Sequence, residues 1–227
     1  MIYITGDTHG QLARLEKLEE YLELQKGDYL IICGDFGFIY YDNFVEELIL
    51  NSLSQKNYTI LFIDGNHENF PAIFRYPEEQ WNGGKIHRIR ENIIHLMRGQ
   101  VFEIDGKSIF TFGGALSVDR AFRKLNISYW DEEVPNISEI LEAKQNLEKC
   151  NGYVDYIITH TVPTSVKNLM HYTVGENDAD KDFTDFLDEV RIIVNYKKWF
   201  AGHFHINRYA TESDNIKILY EGTGVLI

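Results

Sequence analysis

The sequence predicts an α/β fold whose first half is a parallel sheet. Three observations carry that expectation. Short apolar runs at residues 2–5, 29–33 and 58–63 read as buried strands. Between them lie two helical stripes, Leu12, Leu15, Leu18 and Leu22, then Phe44, Val45, Leu48, Ile49 and Leu53. Each strand run ends in a glycine followed by a polar side chain: Gly6-Asp7, Gly34-Asp35 and Gly65-Asn66. The order βαβαβ implies parallel strands joined by right-handed crossovers. Polar groups at the ends of such strands sit where α/β proteins gather their functional residues.

The pattern changes after residue 69. Residues 70–90 read as a loop, with Pro71, Pro77 and Gly83-Gly84 as punctuation. Short strands are expected at 93–97, 101–104 and 107–112, the last two joined by the hairpin signal Asp105-Gly106. Residues 115–134 are irregular and rich in arginine and aromatics. Asn136 with Glu139 forms a capping-box pattern that opens a helix running to about Lys149. A further buried strand at 154–159 leads to His160. Phe183, Phe186, Leu187, Val190, Ile193 and Val194 mark a late helix, and 198–201 and 216–220 read as strands. No repeat, low-complexity tract or linker divides the 227 residues, so one domain spanning 1–227 is expected.

Composition narrows the functional classes. A net charge of -13 supplies no basic excess to neutralise phosphates, which argues against non-specific nucleic-acid binding. It argues only weakly against an anionic substrate, because bound cations would add local positive charge that the sum omits. Cys33 and Cys150 have no metal-ligand spacing; Cys33 lies in an apolar strand and reads as a buried free thiol. The first residues run straight into a strand with no charged leader, and no apolar run approaches bilayer-spanning length. The expectation is a cytoplasmic protein without membrane association.

Five separate segments deliver Asp, His or Asn after an apolar run: Gly6-Asp7-Thr8-His9-Gly10, Gly34-Asp35-Phe36-Gly37, Gly65-Asn66-His67-Glu68, Thr159-His160 and Gly202-His203-Phe204-His205. Taken singly they are bland: Asp7 a helix-start cap, Asn66 a turn residue, His160 a bonded core residue, His203 and His205 surface histidines. Together they predict convergence on a pair of metal ions. Asp7 and His9 are two apart, as are His203 and His205, which in extended chain puts both side chains on one side. Carboxylate, imidazole and amide oxygen suit Mn, Fe, Co, Ni or Zn, and the two oxygens of Asp35 can touch both ions. His87, His95 and His171 lack this context and read as structural or surface residues. Asp178, Asp180, Asp182 and Glu189 mimic calcium-loop spacing, but Phe183 stands where that loop needs glycine, so an acidic helix start is expected.

The ordered series GDTHG, GDFG, GNHE, TH and GHFH resembles the calcineurin-like metallophosphoesterase superfamily, over the span from Asp7 to His205, nearly the whole chain. The resemblance implies a four-layer αββα sandwich, two β-sheets flanked by helices. It implies Asp7, His9, Asp35 and His205 on one metal, and Asp35, Asn66, His160 and His203 on the other. It places His67 at the catalytic histidine, beside the metals. The implied reaction is hydrolysis of phosphomonoester or phosphodiester bonds by a metal-bridging hydroxide, on a small molecule, a nucleotide or a phosphoprotein. A nuclease of the same superfamily and a non-catalytic scaffold are the alternatives. A scaffold predicts loss of ligands or of His67, and all are present.

One departure stands out. The protein-phosphatase branch reads GDxxDRG at its second motif, whereas this chain has Phe38 and Ile39 at the last Asp and Arg. The partner that orients His67 and the arginine that holds phosphate are therefore both missing there. The segment 113–123, Gly-Gly-Ala-Leu-Ser-Val-Asp-Arg-Ala-Phe-Arg, resembles a stretch of a bacterial and phage branch, and Arg120 or Arg123 is the expected phosphate ligand. The competing expectation is a salt bridge to Glu132 or Glu133.

Overall fold

A computed structural model describes residues 1–172 and 178–220, and the backbone of 225–226. It opens with β1 (Ile2–Thr5), α1 (Leu12–Leu22), β2 (Tyr29–Ile32), α2 (Phe44–Leu53) and β3 (Thr59–Phe62). The three strands are parallel and in step, with Ile4 opposite Ile31 and Ile31 opposite Leu61. After α3 (Phe70–Ile73) come β4 (Glu78–Trp81), β5 (Gly84–Arg90), β6 (Ile93–Leu96), β7 (Gln100–Ile104) and β8 (Lys107–Phe112). The irregular stretch holds two 3₁₀ turns, Arg120–Phe122 and Asp131–Glu133, before α4 (Ile137–Lys149). Then follow β9 (Tyr156–Thr159), α5 (Thr164–Leu169), α6 (Lys181–Ile193), β10 (Lys198–Ala201), β11 (Arg208–Thr211), β12 (Ile216–Ile218) and β13 (Val225–Leu226).

The strands form two sheets. One runs β13-β1-β2-β3-β6-β5-β4, the other β11-β12-β10-β9-β8-β7. Alternation along each strand sorts side chains into separate layers. Ile2, Ile4, Ile31, Leu61 and Ile94 face Phe102, Ile109, Ile158 and Phe200 between the sheets. On the outer face of the first sheet, Leu30, Ile32, Ile60 and Phe62 meet Leu15 and Leu18 of α1 and Leu50 and Leu53 of α2. On the outer face of the second, Phe110, Phe112, Ile157 and Trp199 meet Ile140 and Leu147 of α4 and Phe183, Phe186 and Leu187 of α6. This is the expected αββα sandwich. No described helix is long and apolar enough to cross a membrane.

The α4 capping box is present, with Asn136 accepting from Ser138 and Glu139 and Glu139 reaching back to the Asn136 N–H. Cys33 is free and buried, and burial pushes its thiol up. Phe183 is buried in α6, Asp182 lies in its first turn, and Asp180 just before it pairs with Lys167 at 2.6 Å, the expected acidic helix start. Two expectations need correction. Residues 70–90 are not a loop: α3, β4 and β5 lie there, and β4 and β5 form a hairpin around Asn82 and Gly83, both left-handed at φ 47° and 95°. Asn-Gly is the turn pair that a tight hairpin demands. The stripe on α2 is misassigned in part. Leu53 is buried and Ile49 packs against the core as expected, but Phe44, Val45 and Leu48 are exposed, while Leu50 and Glu46 are buried. Glu46 turns inward because its carboxylate accepts the N–H groups of Tyr40, Tyr41 and Asp42.

His87 and His95 are indeed structural. Their buried rings stack at 6° with Nδ1 atoms 3.0 Å apart, and His95 Nε2 lies 3.1 Å from Asp64, which Arg98 also holds. Burial, aided by the neighbouring His95, pushes His87 down to about 4, with Asp64 pulling the other way. The unfolded chain takes up this proton near 6.5, the folded one only near 4. The unfolded state therefore binds more protons in between, and stability falls as pH drops through that window. Urea unfolding at stepped pH should show this slope, and His87→Gln should flatten it. An unchanged slope in the variant would assign the effect elsewhere.

Candidate metal centre

All five motif segments leave the carboxyl ends of parallel strands. Asp7 and His9 follow β1, Asp35 follows β2, Asn66 and His67 follow β3, His160 follows β9, and His203 and His205 follow β10. Two sheets thus pour their loops into one place. The loops interlock: Thr8 and His9 N–H donate to Asp35 O at 3.0 and 2.8 Å, and Gly10 N–H donates to Phe36 O at 2.9 Å. Two glycines make the approach possible. A Cβ on Gly34 would lie 2.2 Å from the His160 ring, and one on Gly65 would lie 2.1 Å from Asp35 Oδ1. His9, Asp35, His203 and His205 all adopt left-handed backbone, at φ 47°, 50°, 68° and 53°. Non-glycine residues rarely do so.

Asp7, His9, Asp35 and His205 bring ligand atoms within 4.8 Å of one another. His9 Nε2 lies 3.0 Å from His205 Nε2 and 3.8 Å from Asp35 Oδ2, and His205 Nε2 lies 3.2 Å from Asp7 Oδ2. Beside this group, Asn66 Oδ1 lies 3.0 Å from His160 Nε2 and 2.9 Å from His203 Nδ1. Asp35 Oδ1 is 3.5 Å from the same His160 Nε2. One carboxylate therefore turns Oδ2 to the first group and Oδ1 to the second.

The donor chemistry fits cations. His160 Nδ1 is 2.7 Å from the Cys33 carbonyl, which can only accept, so the Nδ1 hydrogen is committed there. In the neutral form of the ring, the form that ligates metals, the Nε2 lone pair is then aimed at Asn66 Oδ1, itself an acceptor. Acceptor against acceptor in a site where Asp35, Asn66 and His160 are all buried is costly unless a cation lies among them. Burial also holds His9 down and His203 well down, which favours the neutral, ligating imidazole in both. Burial opposes charge on Asp7, but the His205 hydrogen bond and the His203 N–H hold its carboxyl below the usual range. The same bond to Asp7 raises His205.

A family model described as calcineurin-like phosphoesterase matches residues 1–207. The chain belongs to the calcineurin-like phosphoesterases. A comparison with curated proteins finds no match.

In this calcineurin-like phosphoesterase, His67 stands beside the two groups. Its ring meets that of His9 edge-on at 5.3 Å, and its N–H donates to Asp35 Oδ1 at 2.7 Å. His67 also divides the cleft. One lobe of about 220 Å³ is lined by His9, Gly37, Tyr40, Tyr41 and His67. The other, of about 330 Å³, includes Asp35, Asn66, His67, Tyr172, His203 and Phe204. Cavities of about 400 and 590 Å³ lie elsewhere and gather none of these metal-ligating side chains.

The two arginines part ways. Arg120 donates to the buried Glu133 carboxylate at 2.7 Å and lies over the Tyr129 ring, the salt bridge weighed as its alternative. Arg123 reaches the site, with Nη2 3.2 Å from His67 Nδ1. Neither lines a lobe of the cleft. Sequence reasoning missed three contributors. Glu68, the last letter of GNHE, is fully buried and accepts the Phe36 N–H at 2.6 Å, pinning the turn that carries Asp35. Burial and nearby Asp35 push its carboxyl well above the usual range. Ser117 and Glu133 form a buried chain behind Asn66. The irregular loop was the signal for Ser117; nothing in sequence singled out Glu133 for this role.

Proposed function

We propose that the protein is a phosphoric ester hydrolase that works with two divalent cations of the Mn, Fe, Co, Ni or Zn type. Asp7, His9, Asp35 and His205 would hold one, and Asp35, Asn66, His160 and His203 the other. The observation that carries this reading is the Asp35 carboxylate, whose two oxygens face two separate donor groups. Bound cations in such a pair supply a water nucleophile at neutral pH and offset charge on the phosphoryl oxygens. The chain's own residues do the rest. Cys33 O fixes the His160 ring, and the His203 N–H donates to both Asp7 oxygens at 3.0 and 3.1 Å, so the donor set is preformed. His67, uncommitted to either group, donates a hydrogen bond to the leaving oxygen or to the phosphoryl group.

The substrate is a phosphorylated small molecule, nucleotide or phosphoprotein; a cleft open on both sides of His67 accommodates monoesters and diesters. A nuclease is the second reading, and the charge of -13 counts against it. Two measurements test the proposal. Metal analysis after mild purification should give about two equivalents per chain. A panel of chromogenic monoesters and diesters, run against several divalent ions, should reveal turnover. At most one equivalent with metal in excess removes the two-cation reading. No turnover with any ion removes the hydrolase.

A further inference from the structure

Arg123 ends the 3₁₀ turn Arg120–Phe122, and its side chain is only 9% exposed. Its donors point into the site. Nη2 lies 3.1 Å from Tyr40 Oη and 3.2 Å from His67 Nδ1, and Nη1 donates to Ser117 Oγ at 2.9 Å, with Asp119 3.4 Å away. A guanidinium has no acceptor and keeps its charge in proteins. The contact with His67 therefore has one direction: Nδ1 accepts, and the hydrogen of a neutral ring sits on Nε2. Among the described residues, Nε2 has no hydrogen-bond partner, on a side chain that lines both lobes of the cleft.

The same logic runs through Ser117. Its single hydroxyl hydrogen goes to Glu133 Oε2 at 2.8 Å, and Glu133 is fully buried. Oγ then has two lone pairs, and it accepts from Asn66 Nδ2 at 2.9 Å and from Arg123 Nη1. Asn66 is thereby held with Oδ1 toward His160 and His203. One guanidinium grips both the ring of His67 and the hydroxyl that orients the neighbouring amide.

We propose that Arg123 is the positioning residue of His67: it selects the tautomer with hydrogen on Nε2 and ties that ring, through Ser117, to the Asn66 amide. This takes over the task of the carboxylate that Phe38 displaces, with opposite polarity. It also reassigns Arg123 from the phosphate ligand expected from sequence. The catalytic consequence rests on the hydrolase reading; the tautomer does not.

Two experiments separate them. Long-range ¹H–¹⁵N spectra of the metal-free protein, above the imidazole titration range, should show His67 with hydrogen on Nε2 alone. Arg123→Met should release a tautomer mixture, and Arg123→Lys, which still donates, should restore part of the bias. Hydrogen on Nδ1 in the wild type overturns the proposal, whatever the activity. For the loaded enzyme, Arg123→Met should lower kcat by about 10–100-fold with KM for a phosphoester and inhibition by inorganic phosphate little changed. In a His67→Ala background, with metal content matched so that any change at Asn66 is excluded, the same substitution should cost little more, because its remaining effect acts through that ring. An equal loss in both backgrounds, or a rise in KM, makes Arg123 a substrate ligand and overturns the assignment. A wild type with no phosphoesterase activity defeats the hydrolase reading, and the spectra still decide the tautomer.

Discussion

Asp35→Asn should lose more metal than His9→Ala and lower kcat/KM about 10³-fold or more, since a cation pair contributes several kcal/mol to the transition state and each 1.36 kcal/mol is tenfold. The reason is the shape of the amide. Asp35 Oδ2 faces His9, and Oδ1 faces His160 and accepts the His67 N–H. An amide has one oxygen and one NH₂ group, so it serves one side and presents hydrogens to the other. The backbone should tolerate the change, because Asn accepts the left-handed conformation at least as well as Asp. His9→Ala should be milder in metal content, sparing the group around Asn66, His160 and His203. The check is metal stoichiometry and kcat/KM for both variants beside wild type. Two equivalents and near-normal kcat/KM in Asp35→Asn would rule out the shared carboxylate.

His67→Ala should keep its metals and lose on the order of 10²–10³-fold in turnover, the contribution of one positioned hydrogen-bond donor to charge developing in the transition state. The ring is a neighbour of the donor groups rather than a member; the part of His67 that touches Asp35 is its backbone N–H, which alanine retains. The loss should shrink for substrates whose leaving group is already a good anion, such as a nitrophenolate, and be largest for alkyl esters. A series of esters of graded leaving-group pKa reads this directly. An equal loss across the series would make His67 a binding group instead.

Much of this was legible in the chain because its signals are local. The continuous apolar runs of β1, β2 and β3, the stripe of α1 and the capping box at Asn136 each depend on a few neighbouring residues. The donor positions were legible for another reason: each sits just after a buried strand, and parallel strands release their chains at one edge. What was illegible depends on distant partners. Glu46 reads as a solvent-facing helix residue until three N–H groups from the preceding loop turn it inward. Arg120 and Arg123 are three residues apart with similar surroundings in sequence. Only the fold shows one beside Glu133 and the other beside His67. The β4–β5 hairpin is a different kind of miss, since Asn82-Gly83 was there to be read.

The left-handed backbone at His9, Asp35, His203 and His205 has a consequence for anyone who would make this protein sturdier. Positions of this kind cost of order 1–3 kcal/mol each and persist only where the surroundings compel them. A search for thermostable variants, scored on unfolding alone, would be drawn to them, and to glycine or asparagine as replacements. At His205, about half exposed and at the rim, such a change meets little steric resistance. The selected protein would melt later and have given up one of the donors proposed for the metal centre. Heat resistance and activity pull in opposite directions at these four residues, so a screen on this fold has to read both.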